Sequence, residues 1–125
     1  MSFLRFAIVS VLVVVAAACG TDPAEPSMMP PADPPAGGPS ITIPVGAAAL
    51  GDRAYVPAAL DVAVGGTVTW INSDAIPHTS TSNIPVWDSG ILAPGARFSA
   101  TFPVAGTFAY HCTLHPNMVG SVVVR

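Results

Sequence analysis

From Ile41 to the C-terminus the chain never runs far before a glycine or proline interrupts it, and this punctuation is what most constrains its fold. Both residues weaken helix interiors, glycine through backbone entropy and proline through its missing N–H and ring clash. No segment after Cys19 carries apolar residues at helical spacing. Short runs rich in β-branched and aromatic residues lie between the breaks, and these read as strands. The candidates are residues 41–43, 54–56, 60–64, 67–72, 98–102, 107–112 and 120–124. Gly65-Gly66 is placed to turn a two-residue hairpin between the third and fourth of them, and Ala93-Pro94-Gly95 and Val104-Ala105-Gly106 mark further turns. Several short strands at regular spacing point to an all-β protein, a β-sandwich.

Strand alternation assigns faces. In 98–102, Phe98, Ala100 and Phe102 share one side and are expected to be buried. In 107–112, Phe108, Tyr110 and Cys112 share a side that two aromatics mark as the core, so Cys112 points inward and His111 outward. Cys112 opens the spacing Cys-x-x-His-x-x-Met, made by Cys112, His115 and Met118, and His78 lies 34 positions upstream of Cys112. Two imidazoles, a thiolate and a thioether suit a copper ion that alternates between Cu(I) and Cu(II), because sulfur ligands favour the soft Cu(I) while imidazole serves both states. A trigonal His₂Cys group with a weak axial Met is the blue-copper electron-transfer geometry.

The N-terminus has a different texture. Arg5 is the sole charge before an apolar run over 7–18 broken by Ser10, which is too short for an ordinary membrane span and has the form of a secretory signal. Ala16-Ala17-Ala18-Cys19 resembles a bacterial lipoprotein box, with Ala16 where leucine is usual. Residues 1–18 are therefore expected to be a lipoprotein signal peptide, and Cys19 to carry a lipid that anchors the exported chain to a membrane, on its periplasmic or extracellular face. Residues 19–40, dense in Pro, Ala and Gly, read as an extended tether. Residues 41–125 form the folded domain. With Cys19 lipidated and Cys112 in a ligand-like position, the two cysteines are not expected to pair.

Cleavage after Ala18 would remove Arg5 and leave three arginines against seven carboxylates, or −4 from side chains. With no basic patch, nucleic acid is not an expected partner. The chain has no paired carboxylates beside a nucleophile, no phosphate-binding loop and no Ser-His-Asp pattern, so it reads as a carrier and not an enzyme.

Two segments carry a family likeness. Ile71-Asn72-Ser73-Asp74-Ala75-Ile76-Pro77-His78 and Tyr110-His111-Cys112-Thr113-Leu114-His115-Pro116-Asn117-Met118 resemble the copper-binding segments of cupredoxins, most nearly those of the amicyanin and plastocyanin group. The likeness extends over about residues 41–125 and includes Val64-Gly65-Gly66-Thr67-Val68-Thr69-Trp70 and Gly106-Thr107-Phe108-Ala109-Tyr110. It implies a Greek-key β-sandwich with one type 1 copper at one end, held by His78, Cys112, His115 and the axial Met118. It also implies a monomer that carries one electron at a time, with redox partner proteins docking transiently near His115 over Ile76, Pro77, Leu114 and Pro116.

The chain departs from that pattern at Thr79, where these proteins usually have an asparagine tying the two ligand loops together, and at Asn117, where amicyanins often have an aromatic residue. A threonine hydroxyl can make part of the asparagine's contacts. The surface near His115 is expected to be more polar for having Asn117. A histidine beside the copper cysteine bridges to a second copper centre in some oxidases, but such a centre needs further histidines, and the chain has three in all. His111 is therefore expected to be a half-exposed strand residue. One rival use of the same ligands remains open at this point, the storage or delivery of copper.

Overall fold

The computed structural model describes residues 38–125. The expected signal segment, Cys19 and nearly all of the expected tether lie outside the described residues. Within them are seven strands: β1 (Ser40–Ile43), β2 (Ala59–Val62), β3 (Thr67–Asn72), β4 (Thr81–Ser82), β5 (Arg97–Thr101), β6 (Gly106–His111) and β7 (Val119–Val124). Two single 3₁₀ turns, Ala47–Ala49 and Gly51–Arg53, are the only helical elements among the described residues.

The strands form two sheets ordered β1-β3-β5 and β2-β7-β6-β4. Every connection up to β6 crosses from one sheet to the other, and only β6 and β7 are sequence neighbours that pair. This is the expected Greek-key sandwich. β1 runs parallel to β3, β2 runs parallel to β7, and the remaining pairs are antiparallel.

β3 is the central strand of its sheet, and its sequence Thr-Val-Thr-Trp-Ile-Asn explains why. Val68 and Trp70 turn fully buried side chains to the core. On the opposite face Thr67 and Thr69 pair across the strands with Thr101 and Ser99, each hydroxyl pair at 2.8 Å, the kind of cross-strand contact that fixes register. Trp70 meets Tyr110 from the other sheet edge-on, with ring centroids 5.5 Å apart, and Trp87 and Phe102 close around it. Such aromatic contacts add to plain area burial. Tyr110 pairs in register with Gly120. A Cβ on residue 120 would lie 2.5 Å from the Tyr110 hydroxyl oxygen, so glycine is what leaves room for the ring.

Three expectations are corrected. Residues 54–56 make no strand: Val56 forms one isolated bridge with Thr42, and Pro57 has no N–H with which to continue a ladder. Ala54 and Tyr55 are nonetheless fully buried. Gly65-Gly66 does not close a hairpin, because β2 and β3 belong to different sheets. Gly65 takes φ +82° and turns the chain between the layers, and β2 finds its partner in β7 at the far end of the sequence. In the run 98–102 only Phe102 is fully buried. Phe98 and Ala100 face the same way but are half-buried, since β5 is an edge strand.

The inward set of Tyr110 and Cys112 stands as expected. β6 ends beside β4, with Thr81 opposite His111, so the segment after β3 and the segment after β6 meet at one end of the sandwich.

Candidate metal centre

The first of these segments is pinned before it reaches His78. Asn72, buried at the end of β3, accepts the Asp74 N–H through Oδ1 at 2.9 Å. Its Nδ2 donates to the carbonyls of Ile76 and Leu92, each at 2.9 Å. His78 then bridges Leu92 through two backbone bonds, its own N–H donating at 3.1 Å and Leu92 N–H donating back at 2.8 Å. A backbone held on both sides leaves the buried His78 ring little freedom. Asp74 fixes it further: Oδ2 lies 2.8 Å from His78 Nε2, while Oδ1 accepts the N–H groups of Gly46 at 3.1 Å and Ala75 at 2.7 Å. The bond from His78 is the main cause holding the Asp74 carboxyl down at about 2, aided by the two backbone donors and opposed by burial.

The second segment is a closed loop. Cys112 N–H donates to the Met118 carbonyl at 3.1 Å, and Met118 N–H donates to the His115 carbonyl at 2.9 Å. Both Cys112 and Met118 are fully buried, whereas His115 is half-buried. Asn117 directs its amide to the Ala48 carbonyl at 3.1 Å, fastening the loop to the first 3₁₀ turn. The expected polar contribution of Asn117 is thus partly spent on holding the loop.

Thr79 joins the two segments. Its N–H donates to Cys112 Sγ at 3.3 Å, and its Oγ1 accepts the Thr113 N–H at 2.8 Å. Its carbonyl takes the hydroxyl of Tyr55 at 2.5 Å. Burial, and to a lesser extent the neighbouring Cys112 and Tyr110, raise Tyr55 far above the usual phenol range, so it stays a neutral donor. A chain of hydroxyls fixes the remaining polarity. Thr81 donates to Asp88 at 3.2 Å, so the Thr79 hydroxyl donates to Thr81 Oγ1 at 3.1 Å. Both of its lone pairs are then free for Thr113, the N–H and the hydroxyl at 3.2 Å.

The outcome is a convergence of donor atoms. Cys112 Sγ lies 4.0 Å from His78 Nδ1 and 3.8 Å from His115 Nδ1, and all three atoms fall within 4.8 Å of one another. A single ion in a trigonal plane, about 2.0 Å from nitrogen and about 2.3 Å from sulfur, sets S and N about 3.7 Å apart. The spacing therefore fits one ion shared by the three, and a thiolate with two imidazoles is a donor set suited to copper. Met118 closes the loop from inside the core. His111 is on the other face, its Nδ1 2.7 Å from Asn83 Oδ1, and takes no part in the cluster. Cys112 is the free cysteine among the described residues.

Sequence reasoning missed Asp74 and Asn72. An Asp four residues before a His in a loop has no periodicity that would place it on the ring's far side, and only the fold of residues 72–78 does so.

Fold and cluster together define a cupredoxin. A model of the copper binding proteins of the plastocyanin/azurin family matches residues 45–125, and the chain belongs to that family. It is 43% identical over 81 residues to the amicyanin of Paracoccus denitrificans, a match covering 57% of this chain and 58% of that one. It is 31% identical over 98 residues to the plastocyanin of Scenedesmus fuscus, covering 68% of this chain and 99% of the plastocyanin. Among solved structures, a purple cupredoxin from Nitrosopumilus maritimus superposes with a TM-score of 0.66 at 36% identity, covering 70% of this chain and 99% of that one.

The tie made by Thr79 is testable without metal. Thr79→Val leaves the Thr113 N–H without its acceptor and is expected to cost about 1–3 kcal/mol of stability in the metal-free domain. Thr79→Ser keeps the hydroxyl and is expected to retain most of it. Urea denaturation of the two variants checks this, and a Val variant as stable as wild type would contradict it.

Proposed function

We propose that this chain is a one-electron carrier of the blue copper type that works outside the cytoplasm. One observation carries the reading: three donor atoms of the right kinds are already held at the spacing of a single trigonal ion. His78, Cys112 and His115 are assigned as the ligands in the plane and the buried Met118 as the axial one. Copper held there would supply a Cu(I)/Cu(II) couple whose potential responds to the axial ligand and to hydrogen bonding around the cysteine sulfur.

The residues of the chain do the rest. The Thr79 N–H stabilises negative charge on Cys112 Sγ, and the closed loop 112–118 and the bridge at Leu92 hold the donors in place. A site that does not rearrange imposes little cost on electron transfer.

His115 is the half-buried member of the cluster, so its ring is the natural exit for an electron. In the two segments that bear His78 and His115, Ile76 and Leu114 are 40% and 45% exposed, and Pro77 and Pro116 are exposed. An apolar rim of this kind suits brief docking of redox partner proteins over a small interface. The relatives named amicyanin and plastocyanin support a carrier in place of an enzyme.

The reading extends to the whole chain. Residues 1–18 act as a lipoprotein signal peptide, Cys19 carries the lipid, residues 19–40 are a tether and 41–125 are the copper domain, a monomer on the periplasmic or outer face of a membrane. The pattern of the first nineteen residues supports this.

Copper-loaded wild type is expected to be intensely blue from thiolate-to-copper charge transfer, and Cys112→Ser is expected to lose the colour. A colourless loaded wild type would overturn the assignment. Colour retained through redox cycling against a strong Cu(I) chelator fits a carrier, whereas loss of copper would favour the delivery reading. For the anchor, Cys19→Ala is expected to release the protein from membranes or leave it as an uncleaved precursor, with the domain unaffected. A variant that matures and fractionates like wild type would show that Cys19 bears no lipid.

A further inference from the structure

Asp74 is the one carboxylate in contact with the donor cluster among the described residues, and its surroundings leave it no freedom of role. It is buried, the N–H groups of Gly46 and Ala75 converge on Oδ1, and the His78 ring nitrogen Nε2 lies 2.8 Å from Oδ2. Two donors on Oδ1 favour the ionised carboxylate, and in that form Oδ2 can only accept as well. Among the described residues Asp74 has no arginine as a partner, the arginine ion pair there joining Arg125 to Asp61.

A carboxylate cannot donate, so His78 carries its proton on Nε2 whenever the ring is neutral. The Nδ1 lone pair is then bare and faces Cys112 Sγ, 4.0 Å away. The opposite tautomer would aim an unpaired lone pair at Asp74 Oδ2 across 2.8 Å and a proton into the donor cluster.

Charge adds a second effect. A thiolate with Cu(II) carries net +1 and with Cu(I) net 0. A fixed negative charge on the far side of the ring favours the more positive state, and it acts with little screening because Asp74 and His78 are both buried.

We propose that Asp74 is a positioning residue that sets the His78 tautomer before metal arrives and holds the reduction potential of the site down. The charge part rests on the copper-carrier reading above. The tautomer part does not.

Asp74→Asn is the discriminating variant. Asparagine offers one accepting oxygen in place of two. If the oxygen serves Gly46 and Ala75, the amide N–H₂ faces His78 and drives the ring proton to Nδ1. If the oxygen serves His78, the amide opposes two backbone donors. Glu at the same position keeps the charge.

The experiment has two readouts. Nitrogen-15 NMR of the His78 ring is recorded in the metal-free protein at a pH where the imidazole is neutral, and the reduction potential is measured after copper loading. Wild type is expected to hold the proton on Nε2. Asp74→Asn is expected to shift the population toward Nδ1–H and to raise the potential, and Asp74→Glu to bring the potential back toward wild type. A structural role alone would lower the melting temperature and leave tautomer and potential where they were. Wild type with the proton on Nδ1, or an Asn variant with tautomer and potential both unchanged, would overturn the proposal. Should the Asn variant not fold, the wild-type ring decides. A wild type that binds no copper would end the carrier reading and leave the tautomer result standing.

Discussion

Thr79 bonds to both sides of the site: its N–H reaches Cys112 Sγ, and its hydroxyl takes the N–H of Thr113. Much else depends on that bracket. The segment after β3 and the segment after β6 leave different sheets, and the strand pairing between them is the short one of β4 with the end of β6. Without Thr79 the sulfur and the His78 ring would be related through that two-residue pairing and the bulk of the sandwich. With it, Cys112 and the residue following it are tied to the residue following His78, and the two ligand-bearing backbones move as one. The hydroxyl chain out to Asp88 explains how a threonine takes on work usually given to an asparagine in this family. Its own proton is directed away, to Thr81, and both lone pairs remain for Thr113.

The same logic of satisfied polar groups runs through the rest of the site. An unpaired buried donor or acceptor costs about 1–3 kcal/mol, so the buried Asn72, Asp74, His78 and Thr79 are tolerable at the edge of an aromatic core only because each is bonded. Once bonded, they fix one arrangement. The donors are therefore placed by the chain's own hydrogen bonds. The core behind the site supplies the wall: Trp70, Tyr110, Trp87 and Phe102 pack across the two sheets, and Tyr55 links that wall to the Thr79 carbonyl. Among the described residues this is achieved without a disulfide.

The sequence made some of this legible and concealed the rest, for physical reasons. Strand periodicity is local, so the inward pair Tyr110 and Cys112 and the central strand 67–72 were readable from alternation alone. The donor cluster of His78, Cys112 and His115 was readable because a thiol and two imidazoles are chemically unusual together and two of them fall in one short loop. Pairing across the chain was not readable. Gly65-Gly66 has the residues of a hairpin, and only the competition between β7 and β3 for β2 decides against one. Tyr55 sits in a run that looks like a strand but makes one bridge, at Val56, because Pro57 ends the ladder, and Tyr55 itself is a buried plug bonded to the Thr79 carbonyl. Asp74 gave no signal, since its importance comes from a loop that folds back on itself, and loops have no period.

A carrier site of the proposed kind is set before it is filled and does not change when it is used. X-ray absorption at the copper edge, recorded on the loaded protein in both oxidation states, tests that most directly. The expected result is one sulfur and two nitrogen neighbours at short range in Cu(II) and Cu(I) alike, with distances that shift only slightly. A spectrum lacking the short sulfur neighbour, or one in which a nitrogen neighbour is lost or gained on reduction, would contradict it.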